Sequence, residues 1–290
     1  MPSAKADGKR PALLTVDLED YRRQELHRLL GGVPLPHPHE VQRQLELVLQ
    51  VLASLNLEAT FFTVGRLTSE LPHSAFQGLR QLHQVGCHGH EHLHVSRQGP
   101  RAFFEDLRRA KSALEDTLGR AVISYRAPYF SSDGCDPWFG DALARAGFRL
   151  DSSRRLTQLP GRSSGTVPVP GAAGVVIEVP LPSIGFGPKR LTIIGGTYFR
   201  LLPLHLIRAL LGRSERAGFV PIIYLHPYDF DASARPLELP RGRHWVARAG
   251  DVVRRTGRDT AVDKLRALAE SYDFRPLESM LAAGASAKGN

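Results

Sequence analysis

About seven short apolar runs recur along this chain, each closed by polar residues and separated from the next by a helix-spaced stretch or a Gly/Pro-rich connection. The runs are 12–16, 59–65, a segment beginning at 85–88, 121–125, 148–153, 175–180 and 220–225. Between them, Val41, Leu45, Val48, Leu52 and Leu55 predict an amphipathic helix over 39–55. Phe76, Leu79 and Leu82 predict another over 73–84, with Gly86 as its stop. Gly99-Pro100 opens a third, whose buried face is Phe103, Leu107, Ala110 and Leu114. Further helices are expected over 136–147, 203–217 and 259–271. Strand–helix alternation of this kind implies an α/β fold with a parallel sheet, open or closed into a barrel.

The polar residues at the run ends are Asp17, His88, Arg126, Asp151 and His226. Side chains at strand ends build the mouth of a barrel site. Their spread from residue 17 to residue 226 predicts one domain over 11–275, with a disordered leader at 1–10 and a tail at 276–290. Three segments read as irregular: 24–38 as a long substrate-facing loop, 154–174 as a Pro/Gly/Ser loop, and 235–258 as a basic loop.

Bulk properties narrow the function classes. The 290 residues are 42% hydrophobic, ample for a sizeable core. Two cysteines, Cys87 and Cys135, give neither a disulfide framework nor a CxxC metal signature. No apolar run reaches membrane-span length, and the polar N-terminus lacks the apolar centre of a signal peptide, so the expected location is cytoplasmic. The net charge of +9 is scattered, and no nucleic-acid-binding pattern stands out. A phosphorylated carrier or an anionic membrane face would suit such a surface. Oligomeric state leaves no mark in the sequence.

Two stretches carry chemistry. Asp17-Leu18-Glu19-Asp20 places three acids at the end of a buried run, which is costly unless they bind something; the plain alternative is a turn and a helix cap. Cys87-His88-Gly89-His90-Glu91-His92-Leu93-His94 holds four histidines, the side chain most used as a metal ligand. It reads in two frames. His90-Glu91-x-x-His94 is the zinc-protease signature, which needs both histidines on one helix. Here Gly86 and Gly89 lie just upstream, a strand is due, and Asp17, Arg126 and His226 would stay unexplained. The other frame pairs His88 with His92, leaving His90 and His94 outside the ligand set. Cys87 is either a reactive thiol or a small buried residue.

The ordered motifs resemble those of the polysaccharide deacetylases, the NodB-homology hydrolases of carbohydrate esterase family 4. They are Thr15-Val16-Asp17-Leu18-Glu19-Asp20-Tyr21, Ala59-Thr60-Phe61-Phe62, Cys87 to His92, Tyr125-Arg126-Ala127-Pro128-Tyr129, Gly195 to Pro203, and Tyr224-Leu225-His226-Pro227. The resemblance spans about 11–230 and is closest to the branch with a V-D-V-E-D-Y/W opening found near exopolysaccharide gene clusters. It implies a distorted (β/α) barrel and hydrolysis of an N-acetyl group from an N-acetylated saccharide, polymeric or carrier-linked.

It also implies roles. Asp17 would be the base, Arg126 its orienting partner and His226 the acid. Asp151 would tune His226, although the surrounding D-x-W pattern is missing. His88, His92 and one carboxylate would hold a divalent transition metal, zinc first, with cobalt, nickel or iron as alternatives. Alternation along the strand favours Glu19 as that carboxylate; a turn at Leu18 would give the role to Asp20. Tyr129, Pro128, Tyr198 and Leu225 would contact substrate, with Tyr198 or Arg200 on a loop touching the sugar. Three other readings stand beside this one: a metal-free amide hydrolase of the same fold, a non-catalytic glycan-binding module, and the zinc protease.

Overall fold

The structure, a computed structural model, describes residues 8–31, 37–133, 135, 138–160, 165–171, 173–185, 191–192, 194–239 and 245–281. Eleven strands are described in chain order. They are β1 (Arg10–Leu18), β2 (Thr60–Thr63), β3 (Gln84–Cys87), β4 (Ser124–Tyr125), β5 (Leu150–Asp151), β6 (Arg155–Leu156), β7 (Val167–Gly171), β8 (Gly174–Glu178), β9 (Leu181–Pro182), β10 (Ile222–Leu225) and β11 (Tyr272–Arg275). The main sheet runs β10-β1-β2-β3-β4-β5-β8-β7, with β11 also paired to β1. Every pairing in it is parallel except the β7–β8 hairpin. This is an α/β fold; among the described residues the sheet is not closed on itself, which is compatible with the distorted barrel expected.

Alternation along each strand divides the core in two. On β1, Leu14, Val16 and Leu18 join the large cluster that includes the helix residues Val41, Leu45, Leu107 and Leu114. Leu13 faces the other way, with Phe62, Leu150, Ile222 and Leu277. Fully burying one such side chain contributes roughly 1.5–3 kcal/mol relative to leaving it exposed. Thr15 and Asp17 follow Leu13 on the inner side, where both accept hydrogen bonds from Arg126. On β10, Ile223 and Leu225 belong to the helix-facing cluster, while Ile222 belongs to the inner one.

The helices 39–55, 203–217 and 259–271 are found as Pro38–Ser54, Leu204–Arg216 and Ala261–Ala269. That opened by Gly99-Pro100 is Pro100–Leu118, and the one over 136–147 is described from Trp138 to Arg145. Other expectations need correction. Residues 24–38 are not simply a loop, because Tyr21–Leu30 is helical; its buried residues include Arg22 and Glu25, so no apolar stripe marks it. The basic loop holds the helix Trp245–Arg255, which buries Ala247 and Asp251 and turns Trp245, Val246, Val252 and Val253 outward. Gly86 does not stop a helix, which ends at Leu82; it lies inside β3, where an added Cβ would come within 2.6 Å of the Phe62 ring. The first and last described segments pack into the fold. Arg10 begins β1, β11 pairs with β1, and Leu277 and Met280 are buried beyond it. The rest of the expected leader (1–7) and tail (282–290) lies outside the described residues. Among the described residues, no helix is long and apolar enough to cross a membrane.

Candidate active site

Register brings the polar strand ends to one level. Asp17 pairs with Phe62, Thr63 with Cys87, Cys87 with Tyr125, and Tyr125 with Asp151. His88 and Arg126 therefore emerge together, one residue beyond that row. Val16 pairs with Leu225, so His226 comes level with Asp17. These ends open into a cavity of about 230 Å³. Asp17, Glu19, His88, His92, Tyr129 and His226 line it, together with Tyr21, Tyr224 and Tyr228.

Ligand-type atoms of Glu19, His88 and His92 all lie within 4.8 Å of one another, and all three residues are buried. His88 Nδ1 is 2.8 Å from the Arg126 carbonyl oxygen. That contact assigns the N–H to Nδ1 and leaves Nε2 with its lone pair, the arrangement a metal-ligating imidazole uses. His92 Nε2 stands 2.7 Å from a Glu19 oxygen, yet neither ring nitrogen of His92 makes a hydrogen bond of ordinary geometry. A buried imidazole left so, against a carboxylate, fits a divalent cation between them. Burial pushes the Glu19 carboxyl up, but His92, His226 and His88 outweigh it and hold it at about 2, ionised as a ligand must be. Burial also pulls His88 down to about 4, keeping it neutral at physiological pH.

The segment between the two histidines is a turn, not a helix. Gly89 (φ 71°) and His92 (φ 57°) both adopt left-handed backbone, which folds His92 back toward His88. Asp106, on the helix Pro100–Leu118, accepts hydrogen bonds from the backbone N–H groups of His90 (2.8 Å) and Glu91 (3.1 Å) and braces that turn. The helix that a His90/His94 zinc-protease frame needs is therefore absent; His94 instead stacks on Tyr129 with ring centroids 4.3 Å apart.

Asp17 accepts a 2.7 Å hydrogen bond from Arg126, whose side chain is wholly buried. His226 stacks on Tyr228 at 4.5 Å, with its Nε2 3.9 Å from Glu19. Its Nδ1 is 3.1 Å from Asp229. Burial disfavours the imidazolium, but the hydrogen bond and charge of Asp229 win, and the His226 pKa is raised.

Several expected roles are not supported by placement. Asp151 is separated from His226 by the strands between β5 and β10. It accepts a hydrogen bond from Ser153 and lies beside Glu178; burial and that second carboxyl push its pKa far up. The acid beside His226 is Asp229, three residues on in the same turn. Asp20 does not face His88 and His92. It caps the helix Tyr21–Leu30 through the Arg23 N–H (3.0 Å) and also accepts from the His37 N–H (2.8 Å). Asp20→Ala should therefore cost about 1–2 kcal/mol of stability and leave metal binding intact; chemical denaturation beside elemental analysis checks both. Leu225 cannot meet substrate, because alternation turns it into the helix-facing core while its neighbours Tyr224 and His226 line the cavity. Pro128 is buried, Arg200 is buried with its guanidinium on Asp229, and Tyr198 is not among the residues lining the cavity. Of the expected substrate contacts, Tyr129 alone lines it, 45% exposed at the mouth. Cys87 is fully buried and burial raises its thiol pKa, so it is a packing residue.

Sequence reasoning passed over Asp106 and Asp229. The spacing His226-Pro227-Tyr228-Asp229, an i,i+3 pair across a tight turn, was the available signal for the second.

The fold is thus a mostly parallel α/β sheet whose strand ends gather His88, His92, His226, Asp17 and Glu19 around one cavity. Comparison with known proteins is consistent with this. The family described as polysaccharide deacetylase matches residues 37–148, and a domain of unknown function, DUF3473, matches 153–282. The first match covers the segment that carries His88, His92 and Arg126, and the second the segment that carries His226. A polysaccharide deacetylase structure from Mycobacterium smegmatis, assigned that activity provisionally, superposes with a TM-score of 0.58 at 20% identity, covering 99% of this chain and 94% of that one. The peptidoglycan N-acetylglucosamine deacetylase Bc1960 gives 0.51 at 15% identity, covering 94% and 89%. These likenesses concern the fold. The peptidoglycan-N-acetylglucosamine deacetylase PgdA of Listeria monocytogenes is 29% identical over 82 residues, 28% of this chain and 18% of that protein.

Proposed function

We propose that this protein is a metal-dependent N-deacetylase of an N-acetylated saccharide. The observation that carries the reading is the convergence of Glu19, His88 and His92 in one cavity that Asp17 and His226 also line. The kinship with deacetylases supports the same class of reaction.

Glu19, His88 and His92 would hold the metal. Two imidazoles and a carboxylate suit zinc first, and cobalt, nickel or iron as well. When bound, the ion supplies Lewis-acid polarisation of the acetyl carbonyl and lowers the pKa of water. Asp17 takes the proton from the attacking water, and Arg126, through its 2.7 Å hydrogen bond, holds that carboxylate in place. The water oxygen bonds to the carbonyl carbon and the C–N bond breaks. His226, whose raised pKa keeps it charged at higher pH, delivers the proton that the leaving nitrogen needs. Acetate and a free amino sugar result. Tyr129, exposed at the mouth, offers the sugar an aromatic face. Arg28 and Arg254 also line the cavity and both pair with Glu25; they support a substrate bearing an anionic group, such as a phosphorylated carrier.

The test is acetate release from N-acetylglucosamine oligosaccharides, free and pyrophosphate-linked. Acetate and free amine should appear one to one, stop on chelation and return with zinc or cobalt. A metal-loaded protein that releases acetate from none of them would refute the reading.

A further inference from the structure

The geometry points to a specific role for the region matched as a domain of unknown function: it is the acid half of the active site, organised as a buried chain from Arg200 through Asp229 to His226. This inference rests on the deacetylase reading. The first match, residues 37–148, contains His88, His92 and Arg126; the second, 153–282, contains all three members of the chain.

Asp229 is fully buried and uses both oxygens. Oδ2 accepts from the His226 backbone N–H at 2.8 Å and lies 3.1 Å from His226 Nδ1. The backbone bond alone is an ordinary turn cap. The ring contact does more: it places the N–H on Nδ1 and directs Nε2 into the cavity, where a leaving nitrogen would sit. Oδ1 accepts from Arg200 Nε at 2.7 Å, with both side chains closed to solvent. A turn cap needs no such partner.

Arg200 is itself fixed at every branch. It donates to Thr197 Oγ1 at 3.1 Å and to the carbonyls of Val253 and Thr256 at the end of the helix Trp245–Arg255. A planar fork held on several sides orients a carboxylate in a way that a lysine cannot. This accounts for the Gly195-Gly196-Thr197-Tyr198-Phe199-Arg200 motif. At Gly195 an added Cβ would meet the Tyr224 ring at 2.1 Å, and Gly196, with φ 46°, lies against His226. The two glycines let the short helix Gly196–Leu201 sit close enough for Arg200 to reach Asp229. Arg200 and Asp229 are thus positioning residues that act through His226.

The experiment compares two substrates. An N-acetyl amide needs its leaving nitrogen protonated, whereas 4-nitrophenyl acetate, with a stable phenolate, does not. Asp229→Asn should lower kcat on the amide by about 10²–10³-fold with KM within about twofold, and lower aryl acetate turnover at least about tenfold less. Arg200→Lys should give a smaller loss with the same split between substrates. The Arg200→Met/Asp229→Asn double variant, which leaves no unpaired buried charge, should lose little more than Asp229→Asn alone. It carries the comparison if the single variant fails to fold. Metal content and melting temperature are read for each protein. Equal losses on both substrates, or an unchanged kcat on the amide in a folded Asp229 variant, would overturn the chain while leaving the deacetylase reading intact. A wild type that holds metal and cleaves neither substrate would overturn both.

Discussion

Replacing His88 and His92 together by alanine is expected to abolish binding of about one equivalent of divalent metal and to lower deacetylation by about 10³-fold or more. Each histidine is buried and offers a nitrogen to the same point as Glu19. Removing both leaves one carboxylate, too few ligands for a transition metal in a catalytic site. The matched control is His90→Ala/His94→Ala. His90 does not belong to the ligand cluster, and His94 stacks on Tyr129, so this variant should keep its metal. Elemental analysis of wild type and both double variants decides the matter. Metal retained without His88 and His92 would defeat the assignment, and metal lost without His90 and His94 would revive the other frame.

Arg126→Met should be the most destabilising single change at the site. The guanidinium is fully buried and donates to Thr15 Oγ1 (2.9 Å), Asp17 Oδ1 (2.7 Å), the Ser152 carbonyl (3.1 Å) and Ser152 Oγ (3.0 Å). It also lies over the Phe62 ring at 4.2 Å. Methionine keeps most of the packing but strands a buried carboxylate. Breaking such a pair costs about 3–5 kcal/mol, which at roughly 2–4 °C per kcal/mol lowers Tm by about 6–20 °C. Arg126→Met/Asp17→Asn should recover much of that stability, since no buried charge remains unpaired, while activity stays lost. The excess recovery over additivity, measured by urea unfolding, reads the coupling directly. A single variant within about 1 kcal/mol of wild type would show that Asp17 does not depend on Arg126.

The element pattern was legible where one face of an element is apolar. The helix Pro38–Ser54 buries Val41, Leu45, Val48 and Leu52, the residues whose spacing announced it. Helices that bury charge were not legible. Tyr21–Leu30 turns Arg22 and Glu25 inward, and Trp245–Arg255 turns Asp251 inward and its valines out, so periodicity pointed nowhere or the wrong way.

The same division holds at the site. The sequence by itself determined the faces: strand alternation puts Asp17 inside, and placed His88, Arg126 and His226 at the ends of parallel strands. Those facts follow from local geometry, because a strand repeats every two residues. Only the tertiary structure decided which donor meets which acceptor. It turned Asp20 to a helix end and left Glu19 with the histidines. It set Asp151 apart from His226, put Asp229 in its place, and brought Arg200 behind Asp229. Such pairings depend on register and packing among segments tens or hundreds of residues apart. A local pattern does not encode the distance between two side chains on separate elements.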